Sequence, residues 1–206
     1  MIILALESAI AGGSISLLDD GREIAHWIGT SNVSKAEDLL VNIDKLLASN
    51  NIHRNDIGLI AASAGPGSFT GIRIGIATAL GLKTGLNIPM SSESALKAMA
   101  FSQPDSEEIT VAVPMGRNAV CLQSFQKKEE EIGTLDEPQT MSEDKFLSLI
   151  QEPSGACHVL HSILFEKAAH TGNIINFGAN IACSVGNICR INPGVITEPL
   201  FISKSF

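Results

Sequence analysis

Basic residues are scarce in this sequence. Its 206 residues include 14 lysines and arginines against 22 aspartates and glutamates, which gives a formal net charge of −8. Proteins that bind nucleic acid along their own surface carry a strongly basic footprint. The acidic balance therefore argues against a dominant nucleic-acid contact by this chain alone.

Metal-binding and redox spacings are also missing. The sequence has no Cys-x-x-Cys motif and no zinc spacing among its four cysteines, which are Cys121, Cys157, Cys183 and Cys189. We expect reduced thiols in a cytosolic protein rather than disulfides or a metal site. Among the histidines, only His158 and His161 lie close together, with no acidic residue near them until Glu166. No metal ligands are therefore predicted.

Long apolar runs and a targeting segment are absent as well. The N-terminus lacks a positively charged region, and its first apolar run stops at Glu7. No stretch approaches the roughly 18 uninterrupted apolar residues of a membrane span. We therefore expect neither secretion nor membrane insertion, and a cytoplasmic location. The length and the 45% hydrophobic content suit one large domain or two small ones.

The most informative segment present is the string 65–73, which is Gly-Pro-Gly-Ser-Phe-Thr-Gly-Ile-Arg. It follows an apolar run at 57–63 that predicts a buried strand, and it precedes a helix predicted over 70–86. Glycines at such a turn permit positive φ and close backbone approach, and Pro66 stiffens the loop. The N-terminus of the helix offers free N–H groups to an anion or to a partner's acceptor.

Three familiar motifs do not match this string. Walker A needs four residues between its glycines and a lysine after the second, but three separate Gly67 from Gly71, and Ile72 follows. The dinucleotide fingerprint needs its third glycine one residue earlier, and a nucleophile elbow needs glycines two residues on either side of Ser68. Two interpretations remain open: a direct phosphate or nucleotide contact, and a tight turn whose Ser68 or Thr70 only caps the helix.

The periodicity of the first half predicts the order β-β-β-α-β-α. Asp19-Asp20-Gly21 is a hairpin signal, and Ser34 to Glu37 has the spacing of a capping box at a helix start. The expected strands are 2–6, 14–18, 23–28, 57–63 and 88–91, and the expected helices are 34–49, 70–86 and 93–101. This order predicts an α/β fold with a mixed sheet. It matches the ribonuclease-H-like unit of actin, Hsp70 and sugar kinases, in which two such units face each other.

Residues 103–106 (Gln-Pro-Asp-Ser) are the best candidate for a domain boundary. We predict an N-terminal lobe at 1–103 and a smaller C-terminal lobe at 104–206. In the second lobe, strands are expected at 109–113, 119–125 and 157–160, and helices at 143–150, 162–169 and 180–190. The charged stretch 127–131 predicts a solvated turn.

Three stretches carry a resemblance to a known family. The opening 3–8 (Ile-Leu-Ala-Leu-Glu-Ser), the string 65–73 and the ending 199–202 (Pro-Leu-Phe-Ile) resemble the bacterial TsaB (YeaZ) family. The match is close from residue 1 to about 100 and loose beyond. The resemblance implies an actin-like (ASKHA, ribonuclease-H-like) fold with two lobes, mixed sheets flanked by helices, and a reduced second lobe.

The resemblance also implies a function. Members of the family are non-catalytic partners of TsaD, which with TsaE and TsaC makes threonylcarbamoyladenosine next to the anticodon of tRNA. The chain would then be a scaffold subunit rather than an enzyme, in a heterodimer with TsaD and with TsaE in the wider complex. It would meet tRNA mainly through TsaD and form a homodimer when alone. It would need no cofactor by itself, and ATP or ADP would lie at the complex interface.

The chain departs from the family pattern in three places. Lys35-Ala36 stands where a His-Ser/Thr pair is usual, and the stretch 114–121 keeps little more than Val120 of a second-lobe motif. Glu7 replaces an aspartate, and the glycine and threonine of an actin-like phosphate loop are missing after it. Glu7 is therefore predicted to accept hydrogen bonds from loop amides rather than to organise a metal ion.

The helix predicted over 70–86 is apolar nearly all round, so it should be buried nearly all round. Gly71, Gly75 and Ala79 form a ridge of small residues that permits close approach of another helix. Packing within the chain and a partner interface are both open. With the resemblance, we predict that two helices meet equivalent helices of TsaD, through Leu39, Ile43, Leu47, Ile72, Gly75, Ile76, Ala79, Leu80 and Lys83.

The glycine string is the second predicted site. It would contact a nucleotide at the junction with TsaD without doing chemistry, through Gly65, Pro66, Gly67, Ser68, Phe69, Thr70, Gly71 and Arg73. Arg73 would meet a phosphate or a partner's carboxylate. The alternative function is an enzyme, either an actin-fold ATP-dependent phosphotransferase or a metallopeptidase-like hydrolase.

Overall fold

The structure, a computed structural model, describes residues 1–30, 36–116, 118–151, 157–168 and 173–201. Its first sheet has the strand order β3-β2-β1-β4-β5. β2 is antiparallel to β1 and β3, whereas β4 is parallel to β1 and β5. The strands are β1 (Ile2–Glu7), β2 (Ser14–Asp19), β3 (Arg22–Ile28), β4 (Ile57–Ser63) and β5 (Met90–Glu93). The helices of this half are α1 (Ala36–Ser49), α2 (Phe69–Leu86) and α3 (Ala95–Phe101).

The second sheet repeats this topology, with the order β11-β10-β6-β7-β8 and with β9 also paired to β7. β6 and β7 are antiparallel, and β10 is parallel to β6 and β11. The strands are β6 (Ser106–Pro114), β7 (Ala119–Lys128), β8 (Glu131–Thr134), β9 (Gln139–Ser142), β10 (Cys157–His161) and β11 (Ile174–Gly178). The helices are α4 (Glu143–Leu149), α5 (Ser162–Phe165) and α6 (Ile181–Ile191).

Both faces of the first sheet are covered, which explains the continuous apolar runs of its central strands. Ile3 and Ala5 of β1 face a core that includes α3, α6 and the second sheet. Leu4 and Leu6 face a second core built with α1 and α2. A third core lies under α4 and α5 on the far face of the second sheet. The helices α3 and α6 therefore form a shared layer between the two sheets.

The predicted boundary at 103–106 coincides with the start of β6. Part of the second half, however, packs on the first sheet rather than on the second. α6 packs against β1 and β4 of the first sheet. Beyond α6, Ile196 bridges to Ser92 of β5. The region 181–201 therefore belongs structurally with the first sheet, which corrects the assignment of all of 104–206 to a separate lobe. α3 from the first half packs on the second sheet, and α6 from the second half packs on the first sheet, so these two helices join the halves.

The actin-like α/β fold is confirmed. The predicted reduction of the second half lies in its helices, since α4 and α5 have 7 and 4 residues against 14 and 18 for α1 and α2. Its sheet is not smaller in the part of the chain that the structure describes. The strands β8, β9 and β11 were not predicted. The predicted helix start at Ser34 and Lys35 lies outside the described residues.

Within the described ranges, no helix is both long enough and apolar enough to span a membrane.

Candidate functional site

The glycine-rich turn joins β4 to α2. Gly65 has φ of +93°, which favours glycine, and an added Cβ there would lie 2.7 Å from the Cδ1 atom of Ile72. Ser68 is the N-cap of α2, where its Oγ accepts a hydrogen bond from the Gly71 amide at 3.3 Å. The capping interpretation is therefore confirmed for Ser68. Thr70 lies inside the first turn of the helix.

α2 lies directly on the loop that follows β1. Ser8 Oγ donates to the carbonyl oxygen of Gly71 at 2.9 Å, and the amide of Ser68 donates to the carbonyl oxygen of Ala9 at 2.7 Å. A Cβ added at Gly71 would collide with the backbone of Ser8, and one at Gly75 would collide with its Oγ. The ridge of small residues therefore permits close approach to a loop of the same chain. Packing within the chain, one of the two interpretations left open for this ridge, therefore holds at Gly71 and Gly75, and the predicted partner contact of Gly75 is corrected.

Glu7 lies at the end of β1 and is 1% exposed. Its Oε1 accepts hydrogen bonds from the amides of Ala9 at 2.6 Å and Ile10 at 2.9 Å. Burial raises the pKa of Glu7 to about 7, and these two amides partly offset that rise. The prediction that Glu7 binds loop amides is confirmed. Sequence reasoning found it because the residues of a phosphate loop are missing after this position.

Most of the predicted partner-interface residues are inside the chain. Leu39, Ile43, Leu47, Ile72 and Ala79 are each at most 4% exposed. The three leucine and isoleucine side chains of α1, together with Ala79 of α2, join the core under the first sheet. The interface prediction is corrected for Leu39, Ile72, Gly75 and Ala79, which are buried within the chain, whereas Ile43 and Leu47 line the groove between α1 and α2. Ile76 is partly buried, whereas Leu80 and Lys83 are exposed.

The outer sides of α1 and α2 expose apolar residues, among which the prediction selected Leu80 but not Leu40 or Val41. Leu40 is 54% and Val41 51% exposed on α1, and Leu80 is 45% exposed on α2. Gly81 and Gly85 are also exposed, and a Cβ added at either would meet nothing within 4 Å. Leu40 and both glycines line a groove of about 380 Å³ between the two helices. We call these five residues the α1–α2 surface.

Only part of the predicted nucleotide-contact string is accessible. Gly65, Pro66 and Gly71 are buried, so their predicted direct contact with a ligand is corrected. The exposed members are Ser68, Phe69, Thr70 and Arg73, and Gly67 is intermediate. The guanidinium carbon of Arg73 lies 3.7 Å from the centroid of the Phe69 ring. Phe201, which no prediction gave a role, stacks on Phe69 with ring centroids 4.7 Å apart.

Of the two neighbouring histidines, His161 caps a helix. His161 is 2% exposed, and its Nδ1 accepts a hydrogen bond from the Ile163 amide at 3.3 Å at the start of α5. Burial lowers the pKa of His161 to about 4. In the described portion of the sequence, no group of three or more histidine, cysteine or acidic residues is placed to hold a metal ion. All four cysteines are described, and each is a free thiol.

A larger cavity lies elsewhere, between α3, the β7–β8 hairpin and the end of α6. Its volume is about 880 Å³. Lys97 pairs with Glu93 at 2.9 Å, and Lys127 pairs with Asp105 at 3.2 Å. Because two of its lysines are already paired within the chain, we assign no chemistry to this cavity.

Comparisons with known proteins agree with the resemblance. The family model described as TsaD, tRNA N6-adenosine threonylcarbamoyltransferase, matches residues 32–183. The chain is 31% identical over 135 residues to the tRNA threonylcarbamoyladenosine biosynthesis protein TsaB of Escherichia coli, covering 64% of this chain and 58% of that protein. It is 32% identical over 123 residues to TsaB of Haemophilus influenzae, covering 58% and 52%. The chain therefore matches little more than half the length of these relatives.

A solved structure extends the fold comparison along the chain. YeaZ from Pseudomonas aeruginosa superposes with a TM-score of 0.65 at 20% identity and covers 91% of both chains. At this identity the match supports the shared fold.

Proposed function

Because this chain belongs to the TsaD protein family and, within it, to the TsaB (YeaZ) proteins, we propose that it is a non-catalytic scaffold subunit. In this role it binds TsaD and supports threonylcarbamoylation of the adenosine next to the tRNA anticodon.

The observation that carries the proposal is the α1–α2 surface. Leu40 lines the groove between the two helices together with exposed Gly81 and Gly85, and Val41 and Leu80 on the same helices are also about half exposed. Exposed apolar surface beside a groove is typical of sites where proteins meet. Glycines without neighbours let a second helix come close, because no side chain holds it away. A helix-bearing partner such as TsaD suits this surface.

The loop after β1 supports a role without catalysis. An actin-like phosphotransferase uses this loop to hold phosphate. Here Glu7 binds the amides of Ala9 and Ile10, and α2 lies against Ser8 through two glycines. Two amides of this loop are therefore already bonded within the chain and are not free for a phosphate. This favours a scaffold over the phosphotransferase alternative, and no feature of the described residues favours a peptidase.

The remaining parts of the proposal follow the family. ATP or ADP would lie between the exposed part of the string 65–73 and TsaD, with Ser68 and Thr70 nearest to it. TsaE would join the wider complex, and tRNA would bind mainly through TsaD. The threonylcarbamoylation reaction would take place in the cytoplasm. Without TsaD, the α1–α2 surface would pair with a second copy of this chain.

Two measurements on purified proteins test the proposal. Size-exclusion chromatography with light scattering should show a one-to-one complex of this chain with cognate TsaD. Calorimetry with ATP and magnesium on the chain alone should show no turnover. Failure to form the complex contradicts the scaffold role, and ATP hydrolysis by the isolated chain supports the enzyme instead.

A further inference from the structure

The chain after α6 returns to the first sheet and ends beside the glycine-rich turn. We call residues 192–201 the tail. Ile196 bridges to Ser92 in β5, and the amide of Leu200 donates to the carbonyl oxygen of Ala64 at 2.8 Å. The hydroxyls of Ser91, Ser92 and Thr197 add further hydrogen bonds between the tail and β5. These bonds fix the path of the tail and place its Phe201 at the start of α2.

Phe201 and Phe69 together hold the side chain of Arg73. The two rings are tilted by 57° with centroids 4.7 Å apart. The guanidinium carbon of Arg73 is 3.7 Å from the centroid of Phe69 and 6.0 Å from that of Phe201. Attraction between the cation and the ring faces restricts the long arginine side chain. Both rings stay about half exposed, at 50% and 48%.

α2 carries positive charge in a chain whose net charge is −8. α2 contains Arg73 and Lys83 and no acidic residue. In the part of the chain that the structure describes, no carboxylate lies within salt-bridge distance of Arg73. A guanidinium that is exposed, unpaired and already oriented favours a carboxylate from another molecule, because little side-chain freedom is lost on binding.

We propose that the tail completes the partner surface of α2, with Phe201 positioning Arg73 to bind a carboxylate of TsaD. The inference rests on the proposed function and deepens it. It adds a second contact point to the α1–α2 surface and gives the tail, the last region of the described chain, a role in recognition. Phe201 is a positioning residue, and Arg73 makes the contact.

The test is calorimetric titration of the full chain with TsaD at low and at high ionic strength, first without nucleotide and then in a second series with ATP. Arg73→Gln should weaken binding about fivefold at low ionic strength and less at high ionic strength, as expected for an exposed ion pair. Phe201→Ala should weaken it about threefold, from the lost cation–π contact. The double variant should bind no more weakly than Arg73→Gln, because Phe201 acts through Arg73. Phe201→Tyr should restore wild-type affinity.

Leu135→Ala, which removes an equally exposed side chain from the second half, is the matched control and should bind like wild type. Independent, multiplying effects of the two variants would overturn the positioning role. Wild-type affinity in Arg73→Gln would overturn the contact and leave the scaffold proposal standing. A loss that appears only with ATP present would assign Arg73 to phosphate instead. If the wild-type chain does not bind TsaD, both proposals fail.

Discussion

The buried carboxyl group of Glu7 makes the stability of the fold depend on pH. Its pKa in the folded chain is about 7, above the ordinary 4.5. The folded state therefore holds a proton that the unfolded state releases between these values, so the stability that Glu7 contributes is lost as pH rises through this window. The opposite sign, stability gained with rising pH, would need a lowered pKa in the folded state.

Glu7→Gln should remove this part of the pH dependence. The amide oxygen of the glutamine still accepts from Ala9 and Ile10, but the side chain no longer ionises. Between pH 5 and 8, the free energy of unfolding of the wild type should fall relative to that of the variant by on the order of 3 kcal/mol at most. Urea denaturation across this pH range measures it. Glu107→Gln, at an exposed position, is the control. Identical profiles for wild type and Glu7→Gln would contradict the account.

Two glycines of α2 should respond in opposite directions to the same change. Gly71→Ala places a methyl group against the backbone of Ser8 and should destabilise the chain by about 2–3 kcal/mol, as overpacking does. Gly81→Ala meets nothing within 4 Å and should stabilise it by up to about 1 kcal/mol, because alanine is the better helix former. Urea midpoints give both values. Equal effects would mean that α2 is not seated on the loop after β1.

At the scale of elements, α2 shows that hydrophobic periodicity predicts the bounds of a helix but not which of its sides faces the core. The predicted helix at 70–86 differs from the observed Phe69–Leu86 by one residue. Its inward face could not be predicted, because a helix without acidic residues and with only Arg73 and Lys83 as charged residues lacks a clear polar side. The contact between Gly71 and Ser8 determines which side of α2 faces inward, and it joins residues 63 positions apart in the sequence. Sequence reasoning therefore left the use of Gly71 open and placed Gly75 at a partner interface, whereas both glycines pack against Ser8.

The exposed side of α2 gives the element-scale prediction. Leu80→Glu places a charge on the α1–α2 surface and should weaken TsaD binding at least tenfold, because burying that charge costs more than about 1.4 kcal/mol. Since Leu80 is 45% exposed, the melting temperature should change little. Leu149→Glu, at a similarly exposed leucine that ends α4, is the matched control and should bind like wild type. Undiminished binding by Leu80→Glu would place the interface elsewhere.

The short strands of the second half show a different limit. β8 and β9 have 4 residues each, and β11 has the sequence Ile-Ile-Asn-Phe-Gly. Segments this short do not show a clear two-residue alternation, and β-structure depends on which strands lie beside them. They form here because each pairs with a neighbouring strand: β8 and β9 pair with β7, and β11 pairs with β10. The first sheet was predicted more completely because its strands are longer and lie between clear turns.

At the scale of the whole molecule, each half contributes a segment that packs on the sheet of the other half. α3 comes from the first half and packs on the second sheet, while α6 and the tail return to the first. The topology of each half follows from its own sequence pattern, but this crossing depends on contacts between distant segments. It gives the molecule one continuous core through both sheets. It also brings Phe201 to the start of α2, so the candidate partner surface combines helices of the first half with the last described region of the chain.

The central claim is that this chain acts by binding TsaD and carries out no chemistry of its own. The most direct measurement is threonylcarbamoylation of tRNA by purified TsaC, TsaD and TsaE, with this chain, without it, and with the Leu80→Glu variant. The account predicts product only with the wild-type chain, and a large loss of product with the variant. Equal product with and without the chain would contradict it.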